Sequence, residues 1–79
     1  MNTNNPIHQS AALRGQRRFQ EAIDLIERSL PTLDPDLHEI AYLEAFKAAK
    51  EAGDADLTRA YARKVAALDP GVPSIQDWL

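Results

Sequence analysis

Residues 18–30, Arg18-Phe19-Gln20-Glu21-Ala22-Ile23-Asp24-Leu25-Ile26-Glu27-Arg28-Ser29-Leu30, decide the fold. Phe19, Ala22, Ile23, Ile26 and Leu30 recur at helical spacing, while Gln20, Glu21, Asp24, Glu27 and Arg28 take most of the remaining circumference. That pattern winds the apolar side chains onto one stripe of an α-helix and turns the charges to water. Pro31 then drives Leu30 out of the α region and ends the helix.

Upstream, Asn5-Pro6 reads as an N-cap followed by proline at the first helical position, where a missing N–H does no harm. A helix is predicted over 6–14, with Gly15 either its left-handed stop or a weak point near its end. Downstream, Asp34-Pro35 repeats the opening device, and Asp36 and Glu39 put negative charge at the positive end of the helix dipole. The third helix is predicted over 35–52. Its Leu37, Ala41, Ala45, Ala48 and Ala52 make one strip with Tyr42, Phe46 and Ala49 beside it, which implies burial on two sides.

Gly53-Asp54 ends that helix and opens a fourth, from residue 55 or 56 to 68, with Leu57, Tyr61, Val65 and Leu68 inward and Arg59 and Arg63 outside. Asp69-Pro70-Gly71 closes it. Beyond Pro73, Ser74 and Asp77 have capping-box spacing, which puts Ile75, Trp78 and Leu79 on one short turn. Nothing alternates with period two for long enough to make a strand. The expected fold is all-α: after a flexible N-terminus at 1–5, two stacked antiparallel helix hairpins at about 6–30 and 35–68, and a C-terminal cap at about 72–79.

Seventy-nine residues, 44% hydrophobic and 27% charged, make one small domain, and the lack of cysteine excludes a disulfide scaffold or a thiolate metal site. A formal charge of −3 argues against general binding to nucleic acid or anionic lipid. No apolar run reaches the ~18 residues of a membrane span. The polar start Met1-Asn2-Thr3-Asn4-Asn5 lacks the regions of a secretory signal, so the expected compartment is cytoplasmic.

Asp34-Pro35 and Asp69-Pro70 lie 35 residues apart, each closing a segment that ends in leucine and each preceded by a helix–turn–helix. A unit of two helices near that length, ending in Asp-Pro, resembles the tetratricopeptide repeat family. The likeness is strongest at Arg17-Arg18-Phe19-Gln20-Glu21-Ala22-Ile23, with Ile26, Ser29 and Leu30 continuing it, and again at Tyr42, Gly53-Asp54 and Leu68-Asp69-Pro70. Thr58 departs from it where the family has a small alanine, and Phe46 where it prefers glycine or another small residue; both would widen the second hairpin. The first unit carries Pro6 near its early aromatic position and an extra residue before Asp34-Pro35.

Catalytic material is sparse. His8 and His38 fall in the first turns of helices, where a solvated neutral imidazole is the ordinary state. No nucleophile–base set, zinc helix or phosphate loop can be assembled from the spacing, so no enzyme activity, cofactor or metal is expected. Arg14, Arg17 and Arg18 cluster at the first turn and Arg59, Arg63 and Lys64 on the last helix; both clusters read as solvated charge, with Arg28 placed to pair with Asp24.

One constellation is sharper: Ile40, Leu43, Lys47 and Lys50 fall within roughly 80° on a helical wheel, outside the alanine strip. The family resemblance implies that this face lines a concave groove, with Ile7, Ala11 and Arg14 at the matching positions of the first helix. Together they would make an apolar floor with a basic end, suited to an acidic peptide with aliphatic anchors. The alternative is that Ile40 and Leu43 only pack on the preceding hairpin while the lysines stay in water. Ile7, Ala11 and Glu44 stand where some family members carry a carboxylate clamp, so a clamp for a chain terminus is not expected.

Two units leave stack ends open, and the tail around Val72, Ile75, Trp78 and Leu79 either closes the second hairpin or reaches a second molecule. The functional expectation is therefore a small protein-binding adaptor, monomeric or weakly dimeric. A self-associating structural module is the alternative.

Overall fold

The computed structural model describes residues 5–79; the expectation for 1–4 lies outside them. Four helices, α1 (Pro6–Gly15), α2 (Phe19–Ser29), α3 (His38–Ala52) and α4 (Ala55–Leu68), are joined by short turns, with 3₁₀ segments at Leu30–Thr32, Pro35–Leu37 and Pro73–Trp78. Among the described residues there is no strand. The fold is all-α, two antiparallel hairpins stacked so that α3 packs against α2, α1 and α4, while the last 3₁₀ segment lies on α4.

The opening devices form as read, with local adjustments. Asn5 Oδ1 accepts from the backbone N–H groups of Ile7 at 2.9 Å and His8 at 3.3 Å, capping α1. Asp34 caps its turn by accepting from Asp36 N at 2.9 Å, but Pro35–Leu37 winds as a 3₁₀ turn and α geometry begins only at His38. Asp54 accepts from Leu57 N at 3.0 Å at the start of α4.

Gly15 is not the left-handed stop. That conformation falls on Arg17, at φ 64°, where Arg18 N–H donates to the Leu13 carbonyl and Arg17 N–H to that of Arg14, each at 2.9 Å. The left-handed residue is set by where the closing hydrogen bonds form, and here arginine rather than glycine stands there. The capping box at Ser74 does not form either. Val72 precedes the final turn without a side-chain cap, and Gln76 Nε2 instead ties the approach by donating to the carbonyls of Pro70 at 2.8 Å and Val72 at 2.9 Å.

The core is built from Ala22, Ile23 and Ile26 of α2, the alanines and Phe46 of α3, Tyr61, Ala62 and Val65 of α4, and Ile75. Small side chains let α3 approach both neighbours. Three expected core positions are exposed: Leu37, Ala52 and Leu68, the last at 52%. The buried stripe of α4 runs through Thr58, Tyr61, Ala62 and Val65, so it is rotated from the predicted one at both ends.

Thr58 fits where a smaller residue was expected because its Oγ1 donates to the Asp54 carbonyl at 2.6 Å, satisfying the buried hydroxyl locally. Phe46 is buried because the tail covers it: Trp78 meets it edge to face at a centroid separation of 6.4 Å, and Ile75 is fully buried. The tail therefore closes its own chain.

Candidate functional site

α3 presents one face to solvent between its contacts with the two hairpins. On it Ile40 is 51% exposed, Lys47 and Lys50 are exposed, and Leu43 is half-buried against the core. From α1, Ile7, Ala11 and Arg14 are half-buried, and Ile7 packs against the core. The two readings of this face are thus divided residue by residue: Leu43 and Ile7 pack on the core, while Ile40 and the lysines face water.

A cleft of about 540 Å³ opens where α1, α3 and the start of the tail turn meet, lined by Arg14, Phe46, Lys47, Lys50, Glu51 and Ser74. It brings together the three basic members of the expected site. Ile7, Ala11, Ile40 and Leu43 do not line it. The stack places the helices so that Arg14, at the last turn of α1, reaches α3, and the tail contributes Ser74 because Ile75 is anchored in the core.

Arg14 is the organising cation. Its Nε donates to Glu44 Oε2 and its Nη1 to Glu51 Oε2, each at 2.6 Å. The hydrogen bond to Glu44, with a further one to Glu51, raises the guanidinium pKa against the opposing effect of burial. Glu44 is buried, and a carboxylate removed from water requires such a partner. This pair was missed in the sequence. The signal was a lone glutamate on the alanine-rich side of α3, but its partner is thirty residues away and only the stack brings them together. Lys47 and Lys50 make no ion pair among the described residues.

A second cleft, about 480 Å³, is lined by Leu13, Glu21, Asp24, Glu27 and Arg28. Arg28 does not pair with Asp24, which accepts from Gln20 Nε2 at 2.9 Å instead. Glu27 accepts a hydrogen bond from Tyr61 Oη, joining α2 to α4. Burial first, then this donation to a carboxylate, pushes the Tyr61 phenol pKa up.

Other expectations of free charge are corrected. His38 is half-buried; its Nε2 lies 3.1 Å from the Leu30 carbonyl and must carry the proton, since a carbonyl only accepts. His8 is exposed as expected. Arg18 pairs with Glu21, Arg59 stands 6.0 Å over the Trp78 ring and Lys64 5.5 Å over that of Tyr42. These cations cover aromatic and acidic side chains of their own molecule. Among the described residues no cluster of three metal-ligating side chains exists, and no helix is long and apolar enough to cross a membrane.

No protein-family model, curated protein or solved structure matches the chain, so a functional reading rests on its own residues.

Proposed function

We propose that the chain is a small tetratricopeptide-like adaptor that binds an acidic peptide segment with aliphatic anchors along the face shared by α1 and α3. One observation carries this reading. Among the described residues Lys47 and Lys50 make no ion pair and stand exposed at a cleft, and Ile40 continues the same face of α3 with half its surface open to water. Unpaired cations draw acidic groups, and the neighbouring apolar surface gives aliphatic side chains a place to leave water. Ile7, Ala11 and Leu43 form the backing, and Arg14 the basic end.

The self-associating alternative has less support, because Trp78, its best anchor, is already packed on Phe46 beneath Arg59. A monomer in sedimentation at several concentrations accompanies the adaptor reading.

Selection of a random peptide library on the immobilised chain tests the proposal. Enriched peptides should combine acidic and aliphatic residues, and Lys47→Glu with Lys50→Glu should weaken them by about tenfold or more while the helical circular-dichroism signal is unchanged. Enrichment without acidic residues, or binding indifferent to both substitutions, would remove the groove as the binding surface.

A further inference from the structure

Arg14 holds two carboxylates in unlike surroundings. The Glu44 side chain is 9% exposed and that of Glu51 46%, although both stand 2.6 Å from the guanidinium. Breaking the first contact would strand a buried charge, so Glu44 and Arg14 form a fixed unit. The second contact lies on the rim of the cleft, where water competes for both partners and an exposed pair contributes little.

We propose that Glu51 is an internal competitor for the peptide: it occupies the Arg14 nitrogen that a ligand carboxylate takes on entering the cleft, and so sets a threshold on which acidic segments bind. The inference rests on the peptide-binding reading above and adds the regulation of that site.

The exchange strands no charge. Glu51 lies exposed in the last turn of α3, so once displaced its carboxylate stays in water. Arg14 keeps Glu44 throughout and remains fixed in position for the incoming group. A segment with a single acidic residue gains at Arg14 only what Glu51 loses. A segment with two or more also gains Lys47 and Lys50, which among the described residues hold no carboxylate that must be displaced. The site therefore selects for clustered acidic side chains. Ser74, exposed on the facing wall, adds a hydroxyl donor.

The test uses the whole chain and a fluorescein-labelled peptide of Leu and paired Glu residues, with a Gln-for-Glu peptide of the same sequence as control. Glu51→Gln should bind the Glu peptide about fivefold more tightly than the wild type, a gain that shrinks at high salt. Asp24→Asn, which makes the same change in net charge on α2, separates local release from general attraction and should leave affinity nearly unchanged. Binding of the Glu peptide by Glu51→Gln alone also supports the inference. Equal or weaker binding by Glu51→Gln, or an equal gain in Asp24→Asn, overturns it while leaving the adaptor reading intact. Failure of every form to prefer the Glu peptide over the Gln peptide overturns both.

Discussion

At the turn between α3 and α4, Gly53 takes φ 80°, its N–H donates to the Lys50 carbonyl and that of Asp54 to the Ala49 carbonyl. At the turn between α1 and α2 the equivalent pair of bonds forms around Arg17 at φ 64°. The second turn has the residue that enters the left-handed region without penalty, followed by an aspartate whose side chain caps the next helix. In the first, a residue that carries a Cβ bears the strain, and Arg18 follows with no side-chain cap. Equal geometry from unequal residues means that the first turn is held by packing and the second is favoured locally as well. Burial shows the same imbalance: the only fully buried residue of α1 is Ser10, whose hydroxyl donates to the Ala22 carbonyl at 2.9 Å, whereas α3 and α4 carry most of the core and the tail's cover. α1 should accordingly open first in hydrogen exchange.

The largest effect that sharpens this contrast is expected from Ile75→Ala. It should cost about 2–4 kcal/mol in urea unfolding, a large share of the ~4–12 kcal/mol available to a chain of this size. A loss below about 1 kcal/mol would mean that the tail does not help hold the second hairpin. Next come paired changes at the turns. Gly53→Ala should destabilise by about 1 kcal/mol through backbone strain alone, since a Cβ there meets nothing within 4 Å. Arg17→Gly should stabilise by about 0.5–1 kcal/mol, and changes of the same sign at the two sites would break the comparison.

The smallest effect concerns the Tyr61–Glu27 hydrogen bond, one of those that join the hairpins. With the Tyr61 phenol raised in the folded chain and ordinary, near ~10, in the unfolded one, the native state holds more protons above that pH. Stability from this group is complete below about pH 10 and declines as pH rises past it. Tyr61→Phe should remove that alkaline decline and cost about 1 kcal/mol or less at neutral pH. Identical alkaline slopes in the two proteins would show that the folded surroundings of Tyr61, its burial first and its bond to Glu27 second, do not hold the phenol protonated.

Much of the fold was legible because proline and cap residues act locally. Asn5-Pro6 and Gly53-Asp54 mark boundaries whatever surrounds them, and the Phe19–Leu30 stripe names its own buried side, but Pro31 does not drive Leu30 out of the α region: Leu30 keeps φ −51° and ψ −43°, and α2 tightens into a 3₁₀ turn that contains the proline. Arg17 was hidden because the left-handed position follows from where α1 stops, not from glycine content. Leu68 was misplaced because helical periodicity cannot tell that the tail covers another part of α4. At the candidate site, periodicity brought Lys47 and Lys50 to one face. The Arg14–Glu44 pair and Ser74 depend on contacts between elements distant in the chain, which spacing within a helix does not encode.

A pile of hairpins has no natural last member, since the surface that receives one unit is equally ready for another. The short segment Pro73–Trp78, with Ile75 sealed against α4 and Trp78 laid on Phe46, occupies that surface without offering a new one. That end of the second hairpin is thus screened from water by its own chain, a few side chains standing where a further helix pair would otherwise be needed.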